Sequence, residues 1–216
     1  MDGKTLTYLL IGLNVLVSLI AFTRMNTAST QASHGGYATE GGSKFLFSPY
    51  EVSQGRNFEG MFLSHFSHAD GGHLLFNMVT LYFFGEVVEL GLGIPNMVLI
   101  YLASGILSTL VVYYRHRMDP NYRSLGASDS VTGILFAAIV VLPSMKVYFY
   151  FIPVPIPAPV FAIAYILLST YFMQRGKGNI AHEAHLAGAF TGLLLAGFLS
   201  EEGFGPLLRS VQDLFS

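Results

Sequence analysis

The most constraining feature of this sequence is a succession of long apolar stretches separated by polar segments. An α-helix needs about 20 mostly apolar residues to cross roughly 30 Å of hydrocarbon. Six stretches approach that length, at residues 5–22, 70–90, 95–115, 127–142, 148–172 and 180–199. Pro143 cuts the fourth short, and four alternate prolines exclude regular helix from the start of the fifth. The sequence therefore predicts an all-α membrane protein with six transmembrane helices in a single domain, residues 1–216.

The composition agrees with a bilayer as the surroundings of this chain. Hydrophobic residues make up 52% of the sequence and charged residues only 11%, with a mean hydropathy of +0.54. A soluble chain of this size needs more charge to cover its surface. The net charge is −2 without a basic run, so nucleic acid is not an expected partner. Cysteine is absent, which excludes disulfides, thiolate metal sites and cysteine nucleophiles.

The first span and the connection that follows it are predicted from different features of the sequence. No convincing small-residue cleavage site follows residues 5–22, so we predict a retained span rather than a signal peptide. The connection that follows, residues 23–69, is too long to be structureless. Its second half mixes aromatic residues with single charges, as segments that lie in the membrane interface do. An ordinary surface loop is the other interpretation, and the sequence leaves both open.

Polar side chains inside the spans are few, and each is a functional candidate because burying it in lipid is costly. They are His73 and Asn77 on the second span, Ser128 and Ser130 on the fourth, and His182, Glu183 and His185 on the sixth. Small residues accompany them, with Gly126 and Gly133 at the fourth span and Gly188 and Gly192 on the sixth. Helices with glycine faces can approach closely. A serine on the fourth span can therefore meet a histidine on the sixth.

Acyl transfer chemistry fits these side chains. A serine is a poor nucleophile at neutral pH unless a base takes its proton, and imidazole suits that task. Ser128 and His185 can form such a pair. His73, the Asn77 amide and backbone N–H groups at the start of the fourth helix could donate to the oxygen that becomes negative. Ser130 is a nucleophile by type, but its helix position points it elsewhere.

Three motifs in order give the chain a family resemblance. They are "HLLFN" with His73 and Asn77, "GAS" with Gly126 and Ser128, and "AHLAG" with His185 and Gly188. With these motifs on the second, fourth and sixth spans, the chain resembles the rhomboid intramembrane serine proteases over nearly its whole length. The resemblance implies a six-helix rhomboid-like bundle and an endopeptidase that cleaves transmembrane segments of other membrane proteins. It implies no metal and no cofactor.

The resemblance also assigns roles to individual residues. Ser128 would be the nucleophile and His185 the general base, while His73, Asn77 and the Ser128 N–H would form the oxyanion hole. His68 and Glu89 match family positions with structural roles. The implied location is a multi-pass protein of the bacterial inner membrane. Substrate would reach the site past the fifth span and beneath the loop at residues 173–184.

Two departures from the family pattern are visible. Asp129 follows the nucleophile where the family has glycine, and the Trp-Arg pair often found in the long first loop is missing. A carboxylate at that position favours the helix N-terminus, but it could also crowd Ser128, make His185 more basic or oppose an oxyanion. Asp129, Gly126 and His68 are therefore candidate modulators of the site.

Other interpretations of the same residues remain. The main alternative is a catalytically inactive rhomboid-like protein that binds transmembrane helices, with Asp129 as the lesion. A zinc protease would want H-E-x-x-H, whereas "HEAH" has a spacing of three. A transporter would need repeated ionisable positions. His65 and His68 are expected to be packing residues, and His182 an orienting or interfacial one.

Membrane orientation is a point of conflict within the sequence. The family orientation, with the amino terminus inside, leaves only Lys4, Lys146 and Arg209 on the inner side. The other eight basic residues then lie on the catalytic side. Basic residues normally favour the inner side, so their distribution argues for the reverse orientation. We retain the family orientation as the prediction.

Overall fold

The computed structural model describes residues 4–29, 44–149, 152–175 and 182–215. Its helices are α1 (Thr5–Ser29), α2 (Pro49–Ser53), α3 (Phe58–Leu63), α4 (Gly71–His116), α5 (Ser128–Val141), α6 (Ala158–Arg175), α7 (His182–Leu199) and α8 (Gly205–Gln212). A 3₁₀ turn, Ser64–Phe66, precedes α4, and two strands, β1 (Lys146–Phe149) and β2 (Ile152–Pro157), precede α6. Residues 30–43 of the first connection, and residues 176–181 of the loop proposed for substrate access, lie outside the described residues.

The structure is mostly helical, which agrees with the predicted all-α membrane protein, but the short hairpin of β1 and β2 was not predicted. The strands are antiparallel, with Val147 opposite Ile156 and Tyr148 opposite Pro155. Alternate prolines place their missing N–H groups along one edge of β2, so the opposite edge can still pair with β1. Helix α6 starts at Ala158, after most of the prolines that exclude regular helix from the start of the predicted fifth span.

The second and third predicted spans correspond to the two helical arms of α4, which are separated by a break at Gly93 and fold back on each other. Gly93 has φ of +80°, a left-handed conformation that favours glycine, and Pro95 follows two residues later. The first arm is residues 71–92 and the second arm residues 94–116. A Cβ on Gly85 would lie 3.2 Å from the Met97 side chain, so the arms contact each other. Asp70 caps the helix by accepting from the His73 N–H at 2.8 Å.

Helix α5 lies at the centre of the bundle, packed between α4 and α7. Every residue from Asp129 to Val140 is buried, as expected for a helix that is apolar on all sides. On α7, a Cβ on Gly188 would overlap the backbone of Asp129, and one on Gly192 would overlap the backbone of Gly133. We call these contacts the glycine seam. The seam brings α5 and α7 into backbone contact.

Large apolar side chains cover the outside of the bundle. On α1 and α6, Leu9, Leu16 and Leu167 are each more than half exposed, which suits a lipid-facing surface. Helices α1 and α4 are long and apolar enough to cross a membrane by length and composition, and α5 and α6 are shorter apolar helices. The count of six spans stays a prediction.

The start of α1 is held by a carboxylate from α4. Buried Glu89 accepts hydrogen bonds from the Leu6 N–H at 3.0 Å, the Thr7 N–H at 2.9 Å and the Thr7 hydroxyl at 2.8 Å. The first N–H groups of a helix have no partner within it, so Glu89 satisfies donors that would otherwise be buried unpaired. This contact ties α1 to the end of the first arm.

We expect Glu89→Ala to lower the free energy of unfolding by about 3 kcal/mol, because three donors lose a charged acceptor. Equilibrium unfolding in detergent micelles measures the change. Glu86→Ala is the matched control: Glu86 lies one turn earlier and pairs with Lys4 at 2.8 Å on the surface. Its loss should cost less than about 1 kcal/mol. Equal costs for the two variants would show that Glu89 is not an anchor.

Candidate active site

The centre of the candidate site is a contact between the first residue of α5 and the fourth residue of α7. The Ser128 Oγ lies 2.7 Å from the His185 Nε2. When this nitrogen is unprotonated, the serine hydroxyl donates to it, which is the geometry that activates a serine nucleophile. The glycine seam accounts for the contact, because Gly188, one turn after His185, packs on the backbone of Asp129, the residue after Ser128.

Gly126 shapes the approach to Ser128. Its φ is +130°, and a Cβ there would lie 2.7 Å from the His73 Cε1 and 3.6 Å from the Ser128 Oγ. Only glycine leaves room for the His73 ring at this point. The same geometry places the His73 ring, from the first arm of α4, against Gly126, two residues before Ser128. The motif glycine is therefore required both for its backbone conformation and for its missing side chain.

Asn77 presents a buried donor one turn along α4 from His73. Its side chain is 3% exposed, and its Nδ2 has no hydrogen-bond partner among the described residues. An unpaired buried amide costs about 1–3 kcal/mol, so a folded protein keeps one where a ligand atom or water completes it. Asn77 is thus arranged as a donor without a protein acceptor.

His68 supports His73 through its ring. His68 is fully buried, and its ring meets that of His73 edge to face at a centroid distance of 5.1 Å. The Ser18 hydroxyl donates to the Phe66 carbonyl at 3.0 Å, so His68 Nδ1, 2.8 Å from the Ser18 Oγ, is the donor of that pair. Burial, with a smaller contribution from His73, lowers the pKa of His68 to about 4. The ring is therefore neutral at physiological pH.

Sequence reasoning missed Ser18 and the polar stripe on α1 to which it belongs. Thr7, Asn14 and Ser18 are each fully buried and face the bundle. Asn14 donates to the Tyr101 hydroxyl at 3.1 Å, and Thr7 and Ser18 contact Glu89 and His68. Their spacing of seven and four residues, in an otherwise apolar span, is a signal that marks one helix face.

The Asp129 carboxylate contacts Ser130 and His65. Its Oδ1 accepts from the Ser130 N–H at 2.7 Å, and its Oδ2 lies 3.4 Å from the His65 Nδ1. Ser130 is buried against the second arm, where a Cβ on Gly105 would lie 2.7 Å from the Ser130 Oγ. The structure thus brings Ser128 to His185 and places Ser130 at another helix.

The polar residues at the start of α7 diverge. Glu183 lies 2.6 Å from the His116 Nε2, and His116 stacks on Tyr122 at 3.7 Å. His182 instead stacks on Phe172 of α6 at 5.6 Å. Within the described parts of the chain, no three His, Asp or Glu side chains are arranged to hold a metal ion. The polar side chains of the "HEAH" stretch thus contact different partners.

The molecule is a mostly helical membrane protein in which a serine and a histidine are in contact where three helices meet. These features indicate its class. The family model for the Rhomboid domain matches residues 55–202, which is well over half of the chain. The chain therefore belongs to the rhomboid family. This confirms the family assignment made from the three motifs.

Curated relatives extend the match over most of the chain. The chain is 32% identical to RHOMBOID-like protein 12, mitochondrial, of Arabidopsis thaliana over 165 residues, which is 68% of this chain and 48% of that protein. It is 31% identical to the human presenilin-associated rhomboid-like protein, mitochondrial, over 195 residues, 89% of this chain and 48% of that one. Rhomboid protein 1, mitochondrial, of Saccharomyces cerevisiae is 30% identical over 64% of this chain and 41% of its own length. The chain spans about half the length of the relatives it matches.

These relatives overturn one prediction. The sequence was expected to belong to a bacterial inner membrane, yet each relative named above is a mitochondrial protein. The prediction of a bacterial location is therefore wrong. It was carried over from bacterial members of the family, and no residue of the chain had specified it.

Proposed function

We propose that this protein is an intramembrane serine endopeptidase that cleaves transmembrane segments of other membrane proteins. The observation that carries the proposal is the 2.7 Å contact between the Ser128 Oγ and the His185 Nε2. Membership of the rhomboid family supports it. The six-span plan belongs to the proposal, with the two arms of α4 as separate spans and the whole chain as one domain. A mitochondrial membrane is the proposed location, on the names of the relatives.

The mechanism uses the groups around Ser128. The Ser128 Oγ attacks the scissile carbonyl carbon while its proton passes to the His185 Nε2. The carbonyl oxygen becomes an oxyanion that accepts hydrogen bonds from Asn77 Nδ2, the His73 ring and the Ser128 N–H. The positive end of α5 adds to this stabilisation.

Two further proton transfers complete the turnover. The C–N bond breaks as His185 returns its proton to the leaving amine, which leaves an acyl group on Ser128. Water then attacks the acyl group with His185 again as the base, releasing the new carboxyl end and restoring the serine. Ser128 and His185 do this chemistry, and His73 and Asn77 hold the oxyanion.

The substrate must be unwound where it is cut. A helical carbonyl is already hydrogen-bonded and covered by the following turn, so a transmembrane helix has to open locally to present its scissile bond. Small residues and helix breakers near the cleaved bond are therefore expected in substrates. Because hydrolysis needs water, the proposed function requires a polar space beside Ser128 that opens to one face of the membrane, and the short fourth span would leave room for it.

The second candidate is an inactive rhomboid-like protein that binds transmembrane helices without cutting them. The observation in its favour is Asp129, a buried carboxylate next to the nucleophile at a position where the family usually has glycine. A negative charge there opposes the oxyanion on which acyl transfer depends. The two candidates differ in whether Ser128 reacts.

Covalent labelling of the purified protein in detergent separates the two candidates. We expect a serine-reactive fluorophosphonate to label the wild type in the presence of a chelator. Ser128→Ala should lose the label, and Ser130→Ala, the matched control on the same helix, should keep it. Labelling of Asp129→Gly but not of the wild type would favour the inactive binder. Label that persists in Ser128→Ala would contradict the assignment of the nucleophile.

A further inference from the structure

The Asp129 carboxylate has a partner that the proposed mechanism does not use. His65, in the 3₁₀ turn before α4, lies between Asp129 and the second arm of α4. Its Nδ1 is 3.4 Å from the Asp129 Oδ2, and its Nε2 is 2.6 Å from the Thr109 Oγ1. The side chains of His65 and Asp129 are both mostly buried, at 17% and 9% exposed. A buried carboxylate needs such a partner, since an unpaired charge in an apolar core is costly.

Hydrogen-bond directions fix the protons of His65. The Thr109 hydroxyl donates to the Gly105 carbonyl at 2.9 Å, so its oxygen is free to accept and the His65 Nε2 must carry the proton between them. In a neutral ring the Nδ1 is then bare and would face a carboxylate oxygen, lone pair against lone pair. A proton on the His65 Nδ1 would instead make this 3.4 Å contact an ion pair with the Asp129 Oδ2.

The charge of Asp129 supports this placement of the proton. Burial opposes a second proton on the ring, but the charge of Asp129 and its hydrogen bond outweigh burial and raise the pKa of His65 above its usual value. The result is an imidazolium beside a carboxylate, a pair with no net charge. The same proton on Asp129 would give a neutral pair with the same total charge.

The pair lies close to the reacting groups. Asp129 directly follows Ser128, and the backbone of Asp129 packs under Gly188, one turn from His185 on α7. The titratable side chains that act on His185 are Asp129 from α5, His73 from α4, and His182 and Glu183 from α7 itself. Among these side chains, Asp129 is the one whose charge a protonated His65 neutralises.

We propose that His65 is a positioning residue for the Ser128–His185 pair: it shares a proton with Asp129, which neutralises that carboxylate and keeps it turned away from the oxyanion. This inference rests on the proposed function. In the family pattern a glycine avoids the problem by having no side chain. In this chain the aspartate is retained with a histidine that balances it, so the function of one explains the presence of the other.

A double-mutant cycle on the rate of fluorophosphonate labelling tests the inference. We expect His65→Ala to slow labelling by about tenfold or more, because it leaves a buried charge next to the nucleophile. Asp129→Asn removes the charge and keeps the acceptor for the Ser130 N–H. In that background His65→Ala should slow labelling less than about threefold. His65→Asn, whose amide can donate to Asp129 from near the Nδ1 position, should recover much of the wild-type rate.

A second histidine–carboxylate contact and a stability measurement serve as controls. They test whether His65→Ala slows labelling only by disturbing the fold. His116→Ala removes another buried histidine–carboxylate contact, the one with Glu183, and should combine additively with Asp129→Asn. Thermal unfolding of each variant identifies any that fail to fold, and His65→Asn keeps the test available if His65→Ala does not fold. A labelled wild type in which the His65 substitutions act equally with and without the Asp129 charge would overturn the inference alone. No label in the wild type would overturn the proposed function and this inference with it.

Discussion

His185→Ala is expected to slow peptide hydrolysis by about 10³- to 10⁴-fold. Without the imidazole at 2.7 Å, the Ser128 hydroxyl keeps its proton at neutral pH, and no group is left to protonate the leaving amine. The residual rate would come from the oxyanion donors and substrate binding. The measurement is the turnover of a transmembrane peptide substrate by purified protein in detergent or liposomes.

His182→Ala is the matched control for that experiment. His182 lies on the same helix, three residues earlier, and stacks on Phe172 rather than on the site. Its loss should change turnover less than about fivefold, as expected for a residue outside the chemistry. If the two histidine variants were equally slow, His185 would be a packing residue and not the general base.

Gly192→Ala is expected to destabilise the bundle and to abolish activity together. The added methyl group would fall on the backbone of Gly133, which has no flexible side chain to move aside. Helices α5 and α7 must separate to admit it, at a cost of about 1–3 kcal/mol or more. The same separation draws His185 away from Ser128, and a displacement of about 1 Å can lower a rate about 100-fold. Thermal unfolding and turnover are measured on the same preparation.

Gly12→Ala provides the comparison at a glycine without neighbours. Gly12 lies on α1, and no heavy atom of the described residues comes within 4 Å of a Cβ built there. Alanine favours a helix over glycine by about 1 kcal/mol, so this variant should be neutral or slightly stabilised. An equally mild effect of Gly192→Ala would mean that α5 and α7 can repack, and that the glycine seam is not a fixed contact.

The sequence predicted those helices and helix ends that depend on residues close together along the chain. Apolar length located the helices, Pro143 marked the end of α5 and the proline run marked where α6 could not yet begin. The same run also permits a strand, since a missing N–H is tolerated along one edge, and the hairpin was missed for that reason. Apolar length also distinguished the two arms of α4, because the break at Gly93 lies between the predicted spans 70–90 and 95–115.

The candidate site could likewise be predicted only in part. The motifs with Ser128, His185, His73 and Asn77 can be recognised along the chain, and their roles remain proposals. The pairing of Asp129 with His65 could not be predicted, because these residues are distant in sequence and their contact depends on how the 3₁₀ turn packs against α5. The contact between Ser18 and His68 could not be predicted for the same reason. The spacing of the polar residues on α1 did indicate that they share one helix face.

The fold of α4 implies an order of assembly. Its two arms are joined at Gly93 with no intervening loop, so contacts such as that between Gly85 and Met97 join residues close in sequence and can form early. Ser128 and His185 are 57 residues apart and meet only after α7 has been made and has docked along its glycines. A chain that is still being synthesised thus holds Ser128 without the histidine proposed as its base. Under the proposed function, the capacity to cleave neighbouring proteins in the bilayer would arise only once α7 has docked.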